Sequence, residues 1–234
     1  MKTIFDHLNG NSYPGRGILI GKAEGGAQAA IAYFIMGRSP NSRNRVFTPK
    51  EGGIITEAAD PAKLEDPSLI IYAPVRVLGN DTIVTNGDQT DTIFDALQAG
   101  HCMRHALKKR RYEPDEPNCT PRISGLVTVE DGKLSYDLSI LKADNGRCQR
   151  HFFEYEDADP GVGRFLSTYQ HDGSPLPSFA GEPVEVAIAG NVDSFAQRLW
   201  DSLDRDNRVS LFVRYIDLKD GGTEDVILNQ YEKA

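Results

Sequence analysis

The sequence predicts an α+β fold in which β-sheets pack against each other and helices cover them from outside. Many short apolar segments are bounded by Gly, Pro, Asn or Asp, which is typical of strands. Only two longer segments show the three-four apolar spacing of amphipathic helices. The chain has 234 residues, of which 39% are hydrophobic, and it shows no internal repeat or long linker. We therefore expect residues 1–234 to form a single domain with a sizeable core.

The first third of the chain is rich in predicted strands, at 17–20, 27–36, 53–56, 69–72, 75–78 and 82–85. The segment 27–36 is apolar and carries aromatic residues, as a buried strand does. A polar, arginine-rich loop at 37–45 follows it.

A helix is predicted at 94–111, after a strand and a tight Asn86-Gly87 turn. Asp91 is a plausible N-cap for it. The basic run 108–111 would lie at its C-terminal end, where positive charge complements the helix dipole.

The rest of the chain alternates loops, strands and one more helix. Residues 112–121 contain three prolines and are predicted to form a loop carrying Glu113, Asp115 and Glu116. Strands are predicted at 122–129, 134–141, 149–155 and 165–170, with Asp131-Gly132 as a hairpin turn. After a loop at 171–183, a helix at 192–204 and strands at 209–216 and 225–228 complete the prediction.

Composition narrows the function classes. A net charge of −8 argues against general nucleic-acid binding, which requires a broad basic face. A small phosphate ligand needs only a local arginine cluster, so it is still compatible with this charge. No apolar run is long enough for a membrane helix, and no signal-peptide pattern opens the chain. We expect a cytoplasmic protein with no membrane partner.

The junction between the strand at 82–85 and the following helix is the first candidate binding site. Asn86, Gly87, Thr90 and Asp91 place backbone amides and short polar side chains at one point, which suits a small anionic or polar ligand.

Acid–base chemistry has its candidates elsewhere, in Tyr72 and in the carboxylates of the 112–121 loop. The alternatives are a core aromatic residue for Tyr72 and a solvated acidic loop for the carboxylates. The chain has no Gly-x-Ser-x-Gly elbow to carry a catalytic serine. It also has no Cys, Ser or Thr at position 2 that removal of Met1 would expose as a nucleophile.

Five segments occur in an order that resembles the archaeal-type inosine-monophosphate (IMP) cyclohydrolases. They are YPGRG at 13–17, GRSPNSR at 37–43, YAPVR at 72–76, NGDQTDTI at 86–93 and YEPDEPNCTPRI at 112–123. The resemblance covers about half of the chain.

This resemblance implies a four-layered αββα sandwich like that of N-terminal-nucleophile hydrolases, without their nucleophile. It implies closure of the ring of 5-formamidoimidazole-4-carboxamide ribonucleotide to IMP with loss of water, the last step of purine synthesis. The implied partner is a purine ribonucleotide, and no metal, folate or other cofactor is expected. A homo-oligomer is the general expectation for such an enzyme.

The matched positions suggest roles. Arg43 would hold the formyl oxygen or its developing charge. Tyr72 would position or transfer a proton at the carboxamide. Glu113, with Asp115 or Glu116 nearby, would be the general acid–base group or would orient one. Arg38 or Arg122 would bind the phosphate. The expected substrate-binding residues are Arg38, Asn41, Asn86, Gly87, Thr90, Asp91 and Arg122.

Two other functions remain open on the same fold. The chain could bind a purine nucleotide without turning it over, or it could hydrolyse a different amide. Tyr72 and Glu113 favour the cyclohydrolase, because a protein that only binds nucleotide needs no acid–base pair.

Overall fold

Two antiparallel β-sheets contain most of the chain in the computed structural model, which describes residues 1–64 and 71–233. All strand pairs within them are antiparallel, and the helices are few and short, so the fold is α+β as the sequence predicts. The strands of the described residues are β1 Arg16–Lys22, β2 Gln28–Met36, β3 Val46–Lys50, β4 Gly53–Glu57, β5 Val75–Leu78, β6 Asp81–Thr85, β7 Arg122–Glu130, β8 Lys133–Asp144, β9 Arg147–Glu156, β10 Val162–Ser167, β11 Val184–Ala187, β12 Arg208–Asp217 and β13 Thr223–Asn229. The α-helices are α1 Ile4–Leu8, α2 Pro40–Arg43, α3 Gln89–Gln98, α4 Met103–Leu107 and α5 Val192–Ser202.

The strand order explains which segments meet. The six-stranded sheet runs β11-β10-β1-β2-β12-β13, and the seven-stranded sheet runs β3-β4-β5-β6-β7-β8-β9. The second sheet is a meander, so its order follows the chain. The first brings β10 and β12, from the last third of the chain, beside β1 and β2.

Strand β2 is apolar along its length because it is buried on both faces. Side chains alternate along a strand, so Ala32 and Phe34 pack toward α1 and α5. Ile31 and Tyr33 pack instead into a cluster shared with the seven-stranded sheet. A third cluster joins α3 and α4 to the other face of that second sheet.

Most predicted strands are confirmed, with ends displaced by a few residues. The turn at Asp131-Gly132 is confirmed too, since both residues have positive φ (51° and 76°). The sequence reading did not predict the short elements α1, α2, β3 and β11. The predicted strand at 69–72 begins outside the described residues, and Tyr72 lies in the connection leading into β5.

The single long helix predicted at 94–111 is wrong. The chain instead forms α3 and α4, separated at Gly100, whose φ is 78°. The amides of Gly100 and His101 donate to the carbonyls of Leu97 and Ala96, a Schellman ending that stops α3. Asp91 is not the N-cap, because backbone bonds from Thr90 and Asp91 to residues 87 and 88 begin the helix earlier.

No helix among residues 1–64 and 71–233 is both long and apolar enough to cross a membrane.

Replacing Gly100 with alanine tests whether its left-handed backbone ends α3. A Cβ there would meet no atom within 4 Å, so the cost is backbone strain alone. We expect Gly100→Ala to lower the free energy of unfolding in urea by about 1 kcal/mol. Gly25→Ala is the matched control, because Gly25 also has open space and its φ is not in the left-handed region. Equal stability changes in the two variants would contradict this explanation.

Candidate active site

The candidate site lies at one end of both sheets, where strand ends and their loops meet. Strand β2 contributes Tyr33, the start of β1 contributes Arg16, and the connection before β5 contributes Tyr72. The loop between α4 and β7 contributes Glu113, and β7 begins with Arg122.

A pair of buried tyrosines forms the centre. The hydroxyl oxygens of Tyr33 and Tyr72 are 2.8 Å apart, and the two residues are 0% and 7% exposed. The backbone of Tyr72 is fastened to β4 by Thr56, whose Oγ1 accepts from the Tyr72 amide at 2.8 Å and donates to its carbonyl at 2.9 Å. Burial raises the pKa of Tyr72, whereas the nearby charges of Arg45 and Arg16 lower it.

Two arginines bring positive charge to this pair. Arg45 is fully buried; its Nε donates to the carbonyl of Ser42 at 2.8 Å. Its Nη1, like the Nε of Arg16, is buried without a hydrogen-bond partner among the described residues. Burial lowers the pKa of Arg45, and the charge of Arg16 lowers it further. Such unsatisfied buried donors are costly, which favours an anionic or strongly polar ligand beside them.

Glu113 supplies a buried carboxyl group close to these cations. It is 4% exposed, and its Oε1 lies 4.0 Å from Nη1 of Arg122. Burial raises the pKa of Glu113, while the charges of Arg16 and Arg122 lower it and offset only part of the rise. A carboxyl group that keeps its proton to higher pH can act as a general acid.

The other two loop carboxylates are in different environments. Asp115 accepts from the amide of Thr120 at 2.6 Å and also from its hydroxyl, so it shapes the loop. The Thr120 hydroxyl in turn lies 2.6 Å from the hydroxyl of Tyr169. Burial raises the pKa of Tyr169 to about 12. Glu116 is exposed.

The predicted turn beside the helix does border this cluster. Asn86 is bonded to the protein at both ends of its amide, accepting from the Ile123 amide at 2.9 Å and donating to the Pro121 carbonyl at 2.9 Å. Thr90 is buried, and its hydroxyl donates to the carbonyl of Gly87 at 3.0 Å. A Cβ on Gly87 would lie 2.5 Å from Nη1 of Arg122, so a larger residue here would require the guanidinium of Arg122 to move.

Asp91 points elsewhere: it is exposed and pairs with Arg76 at 2.7 Å.

The predicted arginine loop is held by its own contacts. Arg43 donates from Nε to the Gly37 carbonyl at 2.9 Å and from Nη2 to Asn207 Oδ1 at 3.1 Å. Arg38 pairs with Asp172 at 2.6 Å and lies over the ring of Tyr13. Asn41 has a buried Oδ1 with no hydrogen-bond partner among the described residues.

An open cavity of about 850 Å³ adjoins the cluster at Arg122. The sequence predicts that the basic run at 108–111 complements a helix dipole, and the run does follow the end of α4. Three of its residues, Lys109, Arg110 and Arg111, also line this cavity, which that interpretation did not predict.

Sequence reasoning missed Tyr33, and it assigned no role to Arg16 or Arg45. The available signals were a tyrosine within an apolar strand and an arginine directly before β3. Neither signal shows that Tyr33 and Tyr72, which are 39 residues apart in the chain, come into contact.

Comparison with known proteins identifies relatives of the chain. The model of one family, described as IMP cyclohydrolase-like protein, matches residues 13–222. A protein of Methanopyrus kandleri named IMP cyclohydrolase is 36% identical over 161 residues, which cover 67% of this chain and 75% of that protein. Proteins of the same name from Methanosphaera stadtmanae and Methanothrix thermoacetophila are 30% and 29% identical, covering 68% and 72% of this chain and 75% and 80% of their own lengths.

The buried Glu113 leads to a prediction about stability. Its folded pKa lies above the ordinary 4.5, so its ionisation destabilises the folded state increasingly as pH rises from about 4.5 toward the folded pKa. Glutamine cannot ionise, and we expect the stability of Glu113→Gln relative to wild type to increase between pH 4 and pH 8 in urea unfolding. The exposed Glu116→Gln is the control without such a trend. A Glu113→Gln difference that is flat with pH would disprove the effect.

Proposed function

The chain belongs to the IMP cyclohydrolase-like family, and we propose that it is an IMP cyclohydrolase. It converts 5-formamidoimidazole-4-carboxamide ribonucleotide to IMP and water, the last step of purine synthesis. The family match over residues 13–222 supports this, since it includes every residue of the candidate site. The structural observation that carries the proposal is the buried cluster of a phenol pair, a carboxyl group and two arginines with unpartnered nitrogens.

We also propose the four-layered αββα arrangement for the fold. The three apolar clusters support it, because they join helices to sheet, sheet to sheet, and sheet to helices in turn. Since both sheets share one cluster, we propose a single domain over 1–234. A cytoplasmic location and a homo-oligomeric state also belong to the proposal.

The reaction sets clear chemical requirements. The carboxamide nitrogen attacks the formyl carbon on the same imidazole ring, so little translational entropy is lost. A proton must leave that nitrogen, and charge must be stabilised on the formyl oxygen. That oxygen then takes up two protons and leaves as water, while the formamide nitrogen loses its proton and forms the new C=N bond. These steps need a proton acceptor, a cation and a proton donor. They need no cofactor in the proposed mechanism.

Tyr72 and Tyr33 would manage the proton at the carboxamide. The hydrogen bond with Tyr33 lowers the pKa of Tyr72, whereas the same bond raises the pKa of Tyr33. Either hydroxyl can donate in this 2.8 Å bond, and in the proposed mechanism Tyr33 donates when Tyr72 ionises. Burial raises the pKa of Tyr72, and the charges of Arg45 and Arg16 oppose that rise, so the phenolate form of Tyr72 is the proposed acceptor of the carboxamide proton.

The buried Arg45 is the better candidate to stabilise the formyl oxygen. Its Nη1 is unpartnered among the described residues, and its charge acts on Tyr72. The role that the sequence suggests for Arg43 stays a prediction, and the described bonds of Arg43 are to Gly37 and Asn207.

Glu113 would protonate the leaving hydroxyl. Its raised pKa keeps a proton available, and its burial excludes competing water. Asp115 and Glu116 would support it, the first by holding the loop through Thr120.

The remaining matched positions would line the nucleotide. Asn86, Gly87 and Thr90 would form the wall of the site, with Asn41 and Asp91 at its borders. Of the two candidates for the phosphate, Arg122 lines the cavity, whereas Arg38 is paired with Asp172.

The tyrosine pair gives the first test of this mechanism. Tyr72→Phe is expected to lower kcat about 10²-fold or more, because it removes the proton-transfer group. Tyr33→Phe is expected to lower kcat about 10-fold and to move the pKa of the basic group in the kcat profile upward, since Tyr72 loses its donor. IMP formation is followed by absorbance without metal or folate. Tyr112→Phe at the cavity rim is the control. A wild-type kcat in both Tyr33→Phe and Tyr72→Phe would show that the two hydroxyls take no part in catalysis and that the rings only fill the core.

The arginine assignment has its own test in the same assay. Arg45→Lys is expected to lower kcat about 10²-fold, because lysine cannot reproduce the planar donor set. Arg43→Lys runs beside it, with thermal unfolding to confirm that both variants fold. A loss only in Arg43→Lys would restore the role predicted from the sequence. Absence of turnover in wild type, with IMP binding retained, would favour the non-catalytic nucleotide-binding protein.

A further inference from the structure

Two arginines converge on one carboxylate oxygen at the edge of the open cavity. Nη1 of Arg122 lies 2.8 Å from Oδ1 of Asp88, and Nη2 of Arg110 contacts the same oxygen. Two guanidinium groups around one oxygen atom form the kind of site that binds a phosphate. We call Arg110 and Arg122 the arginine clamp.

One cation of the clamp, Arg122, is held more firmly than the anion beside it. Arg122 has a side chain only 9% exposed, and it also donates to the Arg111 carbonyl at 3.0 Å and to Gln89 Oε1 at 2.6 Å. Asp88 has a side chain 53% exposed and no helix-capping bond, so it can leave while Arg122 stays.

The surroundings add positive charge. Lys109 and Arg111 line the same cavity and form no ion pair with any described residue. The pKa of Asp88 is lowered: burial acts to raise it, but the charges of Arg110 and Arg122 outweigh burial. A dianionic phosphate would gain more from these cations than the single charge of Asp88 does.

The clamp also adjoins the buried cluster. Arg122 reaches from the cavity inward to Glu113, 4.0 Å away. A ligand with its phosphate in the clamp would therefore extend its other end toward the buried cluster.

We propose that Arg110 and Arg122 bind the phosphate monoester of the substrate and that Asp88 is an internal stand-in which the phosphate displaces. This inference rests on the proposed function for the identity of the nucleotide. It makes Asp88 a competitor that weakens phosphate binding and keeps the clamp assembled in the empty enzyme.

Calorimetric binding of IMP, inosine and inorganic phosphate tests the clamp without turnover. IMP and inosine differ only in the phosphate, so their affinity ratio reports on this subsite. We expect Arg110→Ala to weaken IMP and phosphate at least 10-fold and to leave inosine unchanged. We expect Asp88→Asn to tighten IMP and phosphate several-fold, again without changing inosine. Arg104→Ala is the control, because Arg104 pairs with Glu154 away from the cavity.

Each outcome bears on one part of the inference. An unchanged ratio of IMP to inosine affinity in Arg110→Ala would overturn the clamp. Weaker phosphate binding in folded Asp88→Asn would overturn the stand-in role. Turnover with wild-type KM in Arg110→Ala would reject the clamp and leave the proposed function intact. Specific phosphate binding that needs Arg110, in a protein without turnover, would support the clamp and reject the proposed function.

Discussion

Burial of β2 on both faces is the constraint on which the candidate site depends. One row of its side chains meets the helices and the other meets the second sheet, so no side chain of its interior can reach water. A tyrosine in that second row must find a partner for its hydroxyl inside the protein. The hydroxyl of Tyr72, 2.8 Å away, is that partner. Their hydrogen bond fixes two polar groups in the interior, at the end of the sheets where the candidate site lies. The arginines and the carboxyl group then act on a phenol whose position is already determined.

The buried charges of the cluster lower the stability of the folded protein. Arg45 is fully buried, and nitrogens of both Arg45 and Arg16 are unpartnered among the described residues. Glu113 is the buried carboxyl group that faces these charges, and its pKa is nonetheless raised by burial. Buried charges of this kind are usually retained for function, because replacing them by apolar groups often stabilises a protein. In the proposed function, a polar substrate supplies hydrogen-bond partners for these buried nitrogens.

The same logic explains the contrast between the interior and the rim of the site. Inside, burial controls the protonation of Tyr72 and Glu113, which the proposed chemistry requires. At the rim, Arg110 and Arg122 surround the half-exposed Asp88, whose pKa their charges lower although burial acts to raise it. Gly87 connects the two regions, because its lack of a side chain lets Arg122 pass between them.

The sequence alone is enough to predict the fold class, most of the strands, the family and the candidate residues Tyr72, Glu113 and Arg122. Strand periodicity and segment order are local properties, so they can be read along the chain. The break at Gly100 was missed because helical spacing continued on both sides of it. The folded structure is needed to see that Arg45 and Tyr33 join the candidate site and that Arg43 bonds to Gly37 and Asn207. Burial and long-range contact determine these roles, and both arise only when distant strands pack together.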